Sequence, residues 1–500
     1  MYRAPTPRSP RQRWLLSLVA LTCLAALTAG CTRTVYVIQT PDGQLKEVDP
    51  NHLHQVNNPH KHPHDPTDPI VVTRKPIVGD DGVIIELLTS TEYVLTDGTH
   101  PLYLQLTVEG REHGAEVRPA MNLSIVIDRS GSMRGGKLQH AIRAAQNLVD
   151  RLVEGDRVSI VSYGTDLRVD VPSAAVTAHS RRAIRRVIGG LRTGGQTFLS
   201  GGLEAGADQV SAAYDEAMVN RVILLSDGRA NVGIKSRHGL DQLAGRLFEQ
   251  GVSVTTMGVG LDYNEDLMSS IAVAGGGSYY FIEHARDLAG IFDAELNTLA
   301  SLVGQDAILY LELPSDVQIQ DIYGYRYQKK GDELAINLNS VAAGQKRRVM
   351  IALDVPPRSA GQHIMARGRV EYRSTRAKTR RTVPLSPVAV SYTPDRRRVA
   401  ASLNKPVMEK LEMVRNARAR ELAMKRLDAG DRAGANAIVR RRLSENRKVH
   451  QAVGGAALGD QVRSMESLSG EVRSAPAAAS PAYRRLRKTK MKEAYDLNQY

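Results

Sequence analysis

Asn122-Leu123-Ser124-Ile125-Val126-Ile127-Asp128-Arg129-Ser130-Gly131-Ser132-Met133 reads as a strand that stops abruptly in a loop of oxygen donors. Leu123, Ile125, Val126 and Ile127 give the near-continuous apolar run of a strand buried on both faces. Asp128, Ser130 and Ser132 follow at alternate positions, and Gly131 lets the chain turn sharply. Carboxylate and hydroxyl oxygens spaced in this way converge on one small, hard cation without filling its coordination sphere. Two later stretches complete the pattern. Residues 194–200, GGQTFLS, place a loop hydroxyl at Thr197, and residues 222–228, VILLSDG, form a second buried strand ending in Asp227. Ligands of an open parallel sheet gather at the carboxyl ends of its strands, near the point where strand order reverses. The two strand ends therefore predict a single rim.

Strands and helices alternate around that rim. Leu138, Ile142, Ala145, Val149 and Leu152 make one helical stripe, and Leu203, Ala207, Val210 and Tyr214 another after Thr197. Residues 157–164 and 253–259 read as further buried strands, and Leu288, Phe292, Leu296 and Leu299 close the series with a last helix. This alternation predicts an α/β unit with a doubly wound, mainly parallel, Rossmann-like sheet.

Asp128-x-Ser130-x-Ser132, then Thr197, then Asp227, resembles the metal-ion-dependent adhesion site of von Willebrand factor type A domains, and the likeness spans residues 120–302. The resemblance implies Mg²⁺, with Mn²⁺ or Ca²⁺ as substitutes, held by Ser130, Ser132 and Thr197 and supported by Asp128 and Asp227. It also implies a vacant coordination position that a protein partner fills with an Asp or Glu side chain, which makes the unit a binding device rather than an enzyme. Gln196 departs from the pattern, where Gly often precedes the threonine. Residues 131–137 also fit the phosphate-loop form G-x-x-x-x-G-K, but Leu138 stands where that loop needs a hydroxyl for Mg²⁺. A reading of Asp128 and Ser130 as a helix cap leaves Thr197 and Asp227 unexplained. The chain contains neither H-E-x-x-H nor G-x-S-x-G.

The flanks predict where such a module sits. Arginines precede the apolar run 14–29, as in a secretory leader over residues 1–30. Leu27-Thr28-Ala29-Gly30-Cys31 resembles the lipobox of bacterial lipoproteins, which implies acylation at Cys31 and a lipid-anchored place in the cell envelope. Thr32 beside the cysteine favours the outer membrane by the same likeness. Residues 31–81 read as a disordered tether rich in Pro and His, with His52, His54, His60, His62 and His64 more economically a polar linker than a metal tract. In residues 82–119 Leu102, Leu104, Leu106 and Val108 alternate with Tyr103, Gln105 and Thr107, a half-buried strand. Residues 303–393 read as a β-sandwich that the earlier strands join, so that the α/β unit is an insertion between its halves. That arrangement is similar to the one in inter-alpha-trypsin-inhibitor heavy chains and in bacterial calcium-activated-channel-like proteins. Residues 404–446 predict a helical hairpin, and residues 447–500 a disordered basic tail carrying Arg484, Arg485, Arg487, Lys488, Lys490 and Lys492.

Composition narrows the function. From Pro394 onward the chain has 24 Lys and Arg against 12 Asp and Glu, so this end supplies +12 of the net charge of +14 and the central unit has no nucleic-acid signature. Nothing after Cys31 is long and apolar enough to span a bilayer, which argues against a channel. Cys23 and Cys31 build no disulfide framework. The remaining alternative is an envelope scaffold whose metal rim is static.

Overall fold

The computed structural model describes residues 76–79, 82–111, 118–478 and 480–499, with the backbone of three short paired strands, β1 (Ser17–Ala20), β2 (Tyr36–Gln39) and β3 (Leu45–Val48). Cys31, the five tether histidines and most of the leader lie outside the described residues. Between these and the central unit run β4 (Ile77–Val78), β5 (Val83–Thr89), β6 (Tyr93–Leu95) and β7 (His100–Gly110).

The central unit then runs β8 (Met121–Asp128), α1 (Gly136–Arg151), β9 (Arg157–Tyr163), β10 (Leu167–Ala175), α2 (Ala178–Gly189) and α3 (Leu199–Ser211). It continues with β11 (Val219–Ser226), α4 (Arg237–Glu249), β12 (Ser253–Val259), α5 (Glu265–Ala274), β13 (Gly276–Ile282) and α6 (Leu288–Ala300). Its sheet has the order β10-β9-β8-β11-β12-β13, parallel throughout except for the β9–β10 pair. From β8 the chain winds first to β9 and later back to β11 on the other side, so strand order reverses between β8 and β11. The strand ends at Asp128 and Asp227 flank that reversal, which is why they meet.

Both faces of the sheet are covered, and period-two alternation divides β8 between them. Leu123, Ile125 and Ile127 pack toward Leu138, Ile142 and Phe292 on α1 and α6, while Val126 joins Leu203, Leu243 and Ile271 on α3, α4 and α5. Helix α3 lies unusually close to the sheet. A Cβ on Gly206 would stand 2.4 Å from a Val126 methyl, and one on Gly202 would stand 2.4 Å from the Tyr163 ring. These glycines let the backbone of α3, which follows Thr197 directly, seat against β8 and β9.

The remaining strands are β14 (Leu302–Glu312), β15 (Gln318–Tyr323), β16 (Tyr327–Lys330), β17 (Glu333–Ala342), β18 (Lys346–Val355), β19 (Gly361–Ser374) and β20 (Thr379–Thr393). They form two sheets, β16-β17-β14-β19-β20-β6 and β15-β18-β7-β5-β4. Strand β7 pairs antiparallel with β18 along its whole length, from Glu109 opposite Lys346 to His100 opposite Val355. Leu102, Leu104 and Leu106 of β7 share one core with Leu309, Ile336, Ile351 and Leu353. The chain therefore leaves this pair of sheets from β7 and re-enters it through β14 of the other sheet, with the α/β unit between.

Five helices follow: α7 (Arg396–Ala401), α8 (Lys405–Asp428), α9 (Arg432–Val453), α10 (Ala456–Arg473) and α11 (Pro481–Gln499). Here the expectation of a two-helix hairpin with a disordered tail over residues 447–500 is corrected. Helix α9 extends through that boundary, and α10 and α11 are ordered helices packed on α8 and α9. In α10 Leu458, Met465, Leu468 and Val472 bury at helical spacing, but Ser, Gly and Ala between them dilute the stripe. Helix α11 makes ion pairs with distant segments through Arg484, Arg485, Arg487 and Lys488, which composition cannot register. Among the described residues no helix is long and apolar enough to cross a membrane.

Candidate functional site

Asp128 ends β8 fully buried, and both carboxylate oxygens are engaged. Oδ1 accepts the backbone N–H of Ser130 at 2.8 Å, and Oδ2 accepts the hydroxyl of Ser226, the last residue of β11, also at 2.8 Å. One carboxylate thus ties two neighbouring strand ends. Burial pushes its pKa up to about 6, against the lowering effect of these hydrogen bonds. Beneath it lies the buried Tyr163, whose hydroxyl donates to the Leu225 carbonyl at 3.1 Å.

The hydroxyls stand above this base. Ser130 Oγ and Ser132 Oγ are 3.0 Å apart, and Ser132 Oγ donates to Asp227 Oδ1 at 2.6 Å. Thr197 arrives on a loop pinned to the first one by backbone bonds, Gly131 N–H to the Gly195 carbonyl at 3.0 Å and Gly194 N–H to the Arg129 carbonyl at 2.7 Å. Gly195 has φ +82°, and a Cβ there would collide with the Thr165 hydroxyl, so this turn needs glycine. The neighbouring Gln196 donates its N–H to Thr165 Oγ1 at 3.0 Å. Thr197 N–H is held by Asn231 Oδ1 at 2.8 Å. A Cβ on Gly228 would lie 3.1 Å from Thr197 Oγ1 and 3.3 Å from Ser132 Oγ, so this glycine keeps open the space between the two hydroxyls.

The structure thus brings all five sequence-derived residues to one place. Ser130, Ser132, Thr197 and Asp227 line an open cleft of about 450 Å³, with Asp128 below it. Among the described residues no three His, Cys, Asp or Glu side chains converge as a metal cluster. The rim instead offers two carboxylates and three hydroxyls, an all-oxygen set that suits a hard divalent ion keeping part of its water shell and does not suit a site built for His or Cys ligands.

Sequence reasoning missed several partners. Lys137 at the start of α1 donates to Asp227 Oδ2 at 2.5 Å. The phosphate-loop pattern drew attention to this lysine for a different reason, and its neighbour Leu138 is buried in the core. Ser226 and Asn231 brace the rim from positions that carry no motif of their own. Arg129, buried between the serine loop and the β9–β10 hairpin, bonds Ser162 Oγ at 3.2 Å and pairs with Asp166, whose carboxyl it holds down to about 2.

Comparison with known proteins agrees with this geometry at the level of the domain. Residues 122–294 match the von Willebrand factor type A domain family. The uncharacterized protein YfbK of Escherichia coli is 30% identical over 211 residues, covering 42% of this chain and 36% of that protein. The uncharacterized protein sll0103 of Synechocystis is 26% identical over 342 residues, covering 66% of this chain and 80% of that protein. The chain thus spans about a third of the first relative and four fifths of the second. A solved structure described as von Willebrand factor type A from Catenulispora acidiphila superposes with a TM-score of 0.65 at 17% identity, covering 83% of this chain and 96% of that one, and shows the fold alone. Matches of 24 to 26% identity, each covering 30 to 36% of this chain, reach inter-alpha-trypsin inhibitor heavy chains of mouse, rat and human.

Proposed function

We propose that this protein uses Asp128, Ser130, Ser132, Thr197 and Asp227 of its von Willebrand factor type A-like domain to hold Mg²⁺, and through it an Asp or Glu side chain of a protein partner. Mn²⁺ and Ca²⁺ fit the same oxygen donors. The observation that carries this reading is the convergence of Ser130, Ser132, Thr197 and Asp227 at one open cleft, with buried Asp128 beneath them and a glycine that leaves room for an ion. In this reading the domain acts as a binding module rather than as a catalyst. When bound, the ion supplies a strong directional bond to an arriving carboxylate. The chain's own residues prepare it. Asp128 fixes the serine loop through the Ser130 N–H, and Asp227 orients the Ser132 hydroxyl.

Asp128→Ala tests the reading. Two hydrogen bonds disappear, but so does the cost of burying a carboxylate, and the two effects offset to within about 1–2 kcal/mol. The variant should stay folded and lose Mg²⁺ binding in calorimetry, and a partner captured by wild type in Mg²⁺ should be lost with EDTA or with the variant. Equal capture under all three conditions would move the contact onto the sandwich or the C-terminal helices, as the scaffold alternative requires.

We further propose that Cys31 carries a lipid anchor that places the protein at the bacterial envelope, on the outer membrane. The support is the leader and lipobox pattern of residues 1–31. Cys31→Ser should move the protein from the membrane fraction to the soluble fraction; retention in the membrane fraction would count against the anchor.

A further inference from the structure

The cleft over the rim does not end at the five residues. Arg229, two positions after Asp227, lines it and also lines a second cleft of about 610 Å³ walled by α11 and the loop between β12 and α5. Four cations line the second cleft, Arg229, Arg484, Arg487 and Lys488, against three carboxylates, Glu265, Asp266 and Asp428. Arg487 bonds all three of those carboxylates. Lys488 donates to Glu265 and to the Tyr263 carbonyl, and Arg484 pairs with Asp262, which stands on the wall of the rim cleft. Arg229 is left over. It is exposed and makes no hydrogen bond or ion pair among the described residues.

An exposed arginine alone means little, since most arginines are exposed. Its place decides the matter, because this unpaired positive charge stands on the wall shared by the second cleft and the rim cleft. A guanidinium is a planar fork matched to a carboxylate. Resting on the metal-rim reading, we infer that Arg229 receives a second carboxylate from the same partner, so that the ligand is a stretch of chain bearing two acidic residues, laid from the rim toward α11. A lone acidic side chain would leave Arg229 without a role.

Fluorescent glycine-serine peptides with blocked ends test this on the full chain. One peptide carries a single Asp, and others carry two Asp separated by zero to four residues. Anisotropy is read in Mg²⁺ and in EDTA, with wild type and with Arg229→Gln, an exposed substitution that leaves the fold intact. The best two-Asp peptide should bind wild type about three- to tenfold tighter than the one-Asp peptide, and that ratio should fall to within about twofold of unity in Arg229→Gln. Mg²⁺-dependent binding with no gain from any second Asp, or a gain that survives in Arg229→Gln, overturns the role of Arg229 and leaves the rim reading standing. Binding that EDTA does not weaken, or no binding of any peptide in Mg²⁺, overturns the rim reading and this inference with it.

Discussion

Lys488→Ala loosens α11 from the rest of the molecule, at a cost of about 3 kcal/mol. The lysine is almost fully buried, and its ammonium donates to the Tyr263 carbonyl at 2.8 Å and to Glu265 Oε2 at 2.6 Å. It also stands 3.6 Å from the centre of the Tyr263 ring. Burial draws its pKa down, and Glu265 opposes that shift. Removing one partner of a buried pair leaves the other charge desolvated and under-compensated, which is why the expected cost exceeds that of a surface pair. Arg487 still reaches Glu265 and keeps the loss from being larger.

The effect should spread because α11 touches every layer. The Tyr279 N–H donates to Tyr495 Oη at 3.1 Å in the α/β unit, Gln499 Nε2 donates to the Gly324 carbonyl at 2.9 Å between β15 and β16, and Lys410 Nζ of α8 donates to the Leu497 carbonyl at 2.7 Å. Limited proteolysis should therefore cut the variant within residues 481–499 well before wild type, and urea should release α11 at a lower concentration. Wild-type resistance at both readouts would show that the pair contributes little and that apolar contacts hold the helix.

That helix marks the boundary of what the sequence makes legible. The α/β unit can be read because a parallel strand buried on both faces writes its burial into consecutive residues, as at Leu123, Ile125, Val126 and Ile127. The rim can be read because the motif fixes the type and order of its residues, and strand order then brings Asp128 and Asp227 together. The β7 alternation likewise reveals a strand with one buried face, although its partner β18 lies more than 200 residues away and only the fold supplies the register. Helix α11 offers no such signal. Arg484, Arg485, Arg487 and Lys488 look like a solvated basic end, and the carboxylates that bind them belong to residues 262–283 and to Asp428. A local pattern records which face of an element is apolar, but not which distant charge will meet it. Lys137 is the same case at the rim, 90 residues from the aspartate it contacts.

Replacing Lys137 with methionine should tighten Mg²⁺ binding about tenfold. In the metal-free rim the ammonium already neutralises Asp227, whose other oxygen accepts the Ser132 hydroxyl. A divalent cation that draws on Asp227 must share it with this charge or displace it. Two unit charges 4 Å apart repel by about 4 kcal/mol at an effective dielectric near 20, so sharing is unfavourable. The lysine side chain is 29% exposed and can turn toward water, which reduces the cost to the loss of its ion pair. An ion pair worth about 1.4 kcal/mol corresponds to the tenfold change. Methionine keeps most of the stem and removes the charge, so the fully buried Asp227 loses its counter-cation in the metal-free protein while a bound ion restores one. The metal-free variant should melt below wild type, and saturating Mg²⁺ should raise its Tm by more than it raises that of wild type. Calorimetric titration together with melting in Mg²⁺ and in EDTA reads both effects. Weaker Mg²⁺ binding in Lys137→Met would show that the lysine holds Asp227 in position for the ion instead of competing with it.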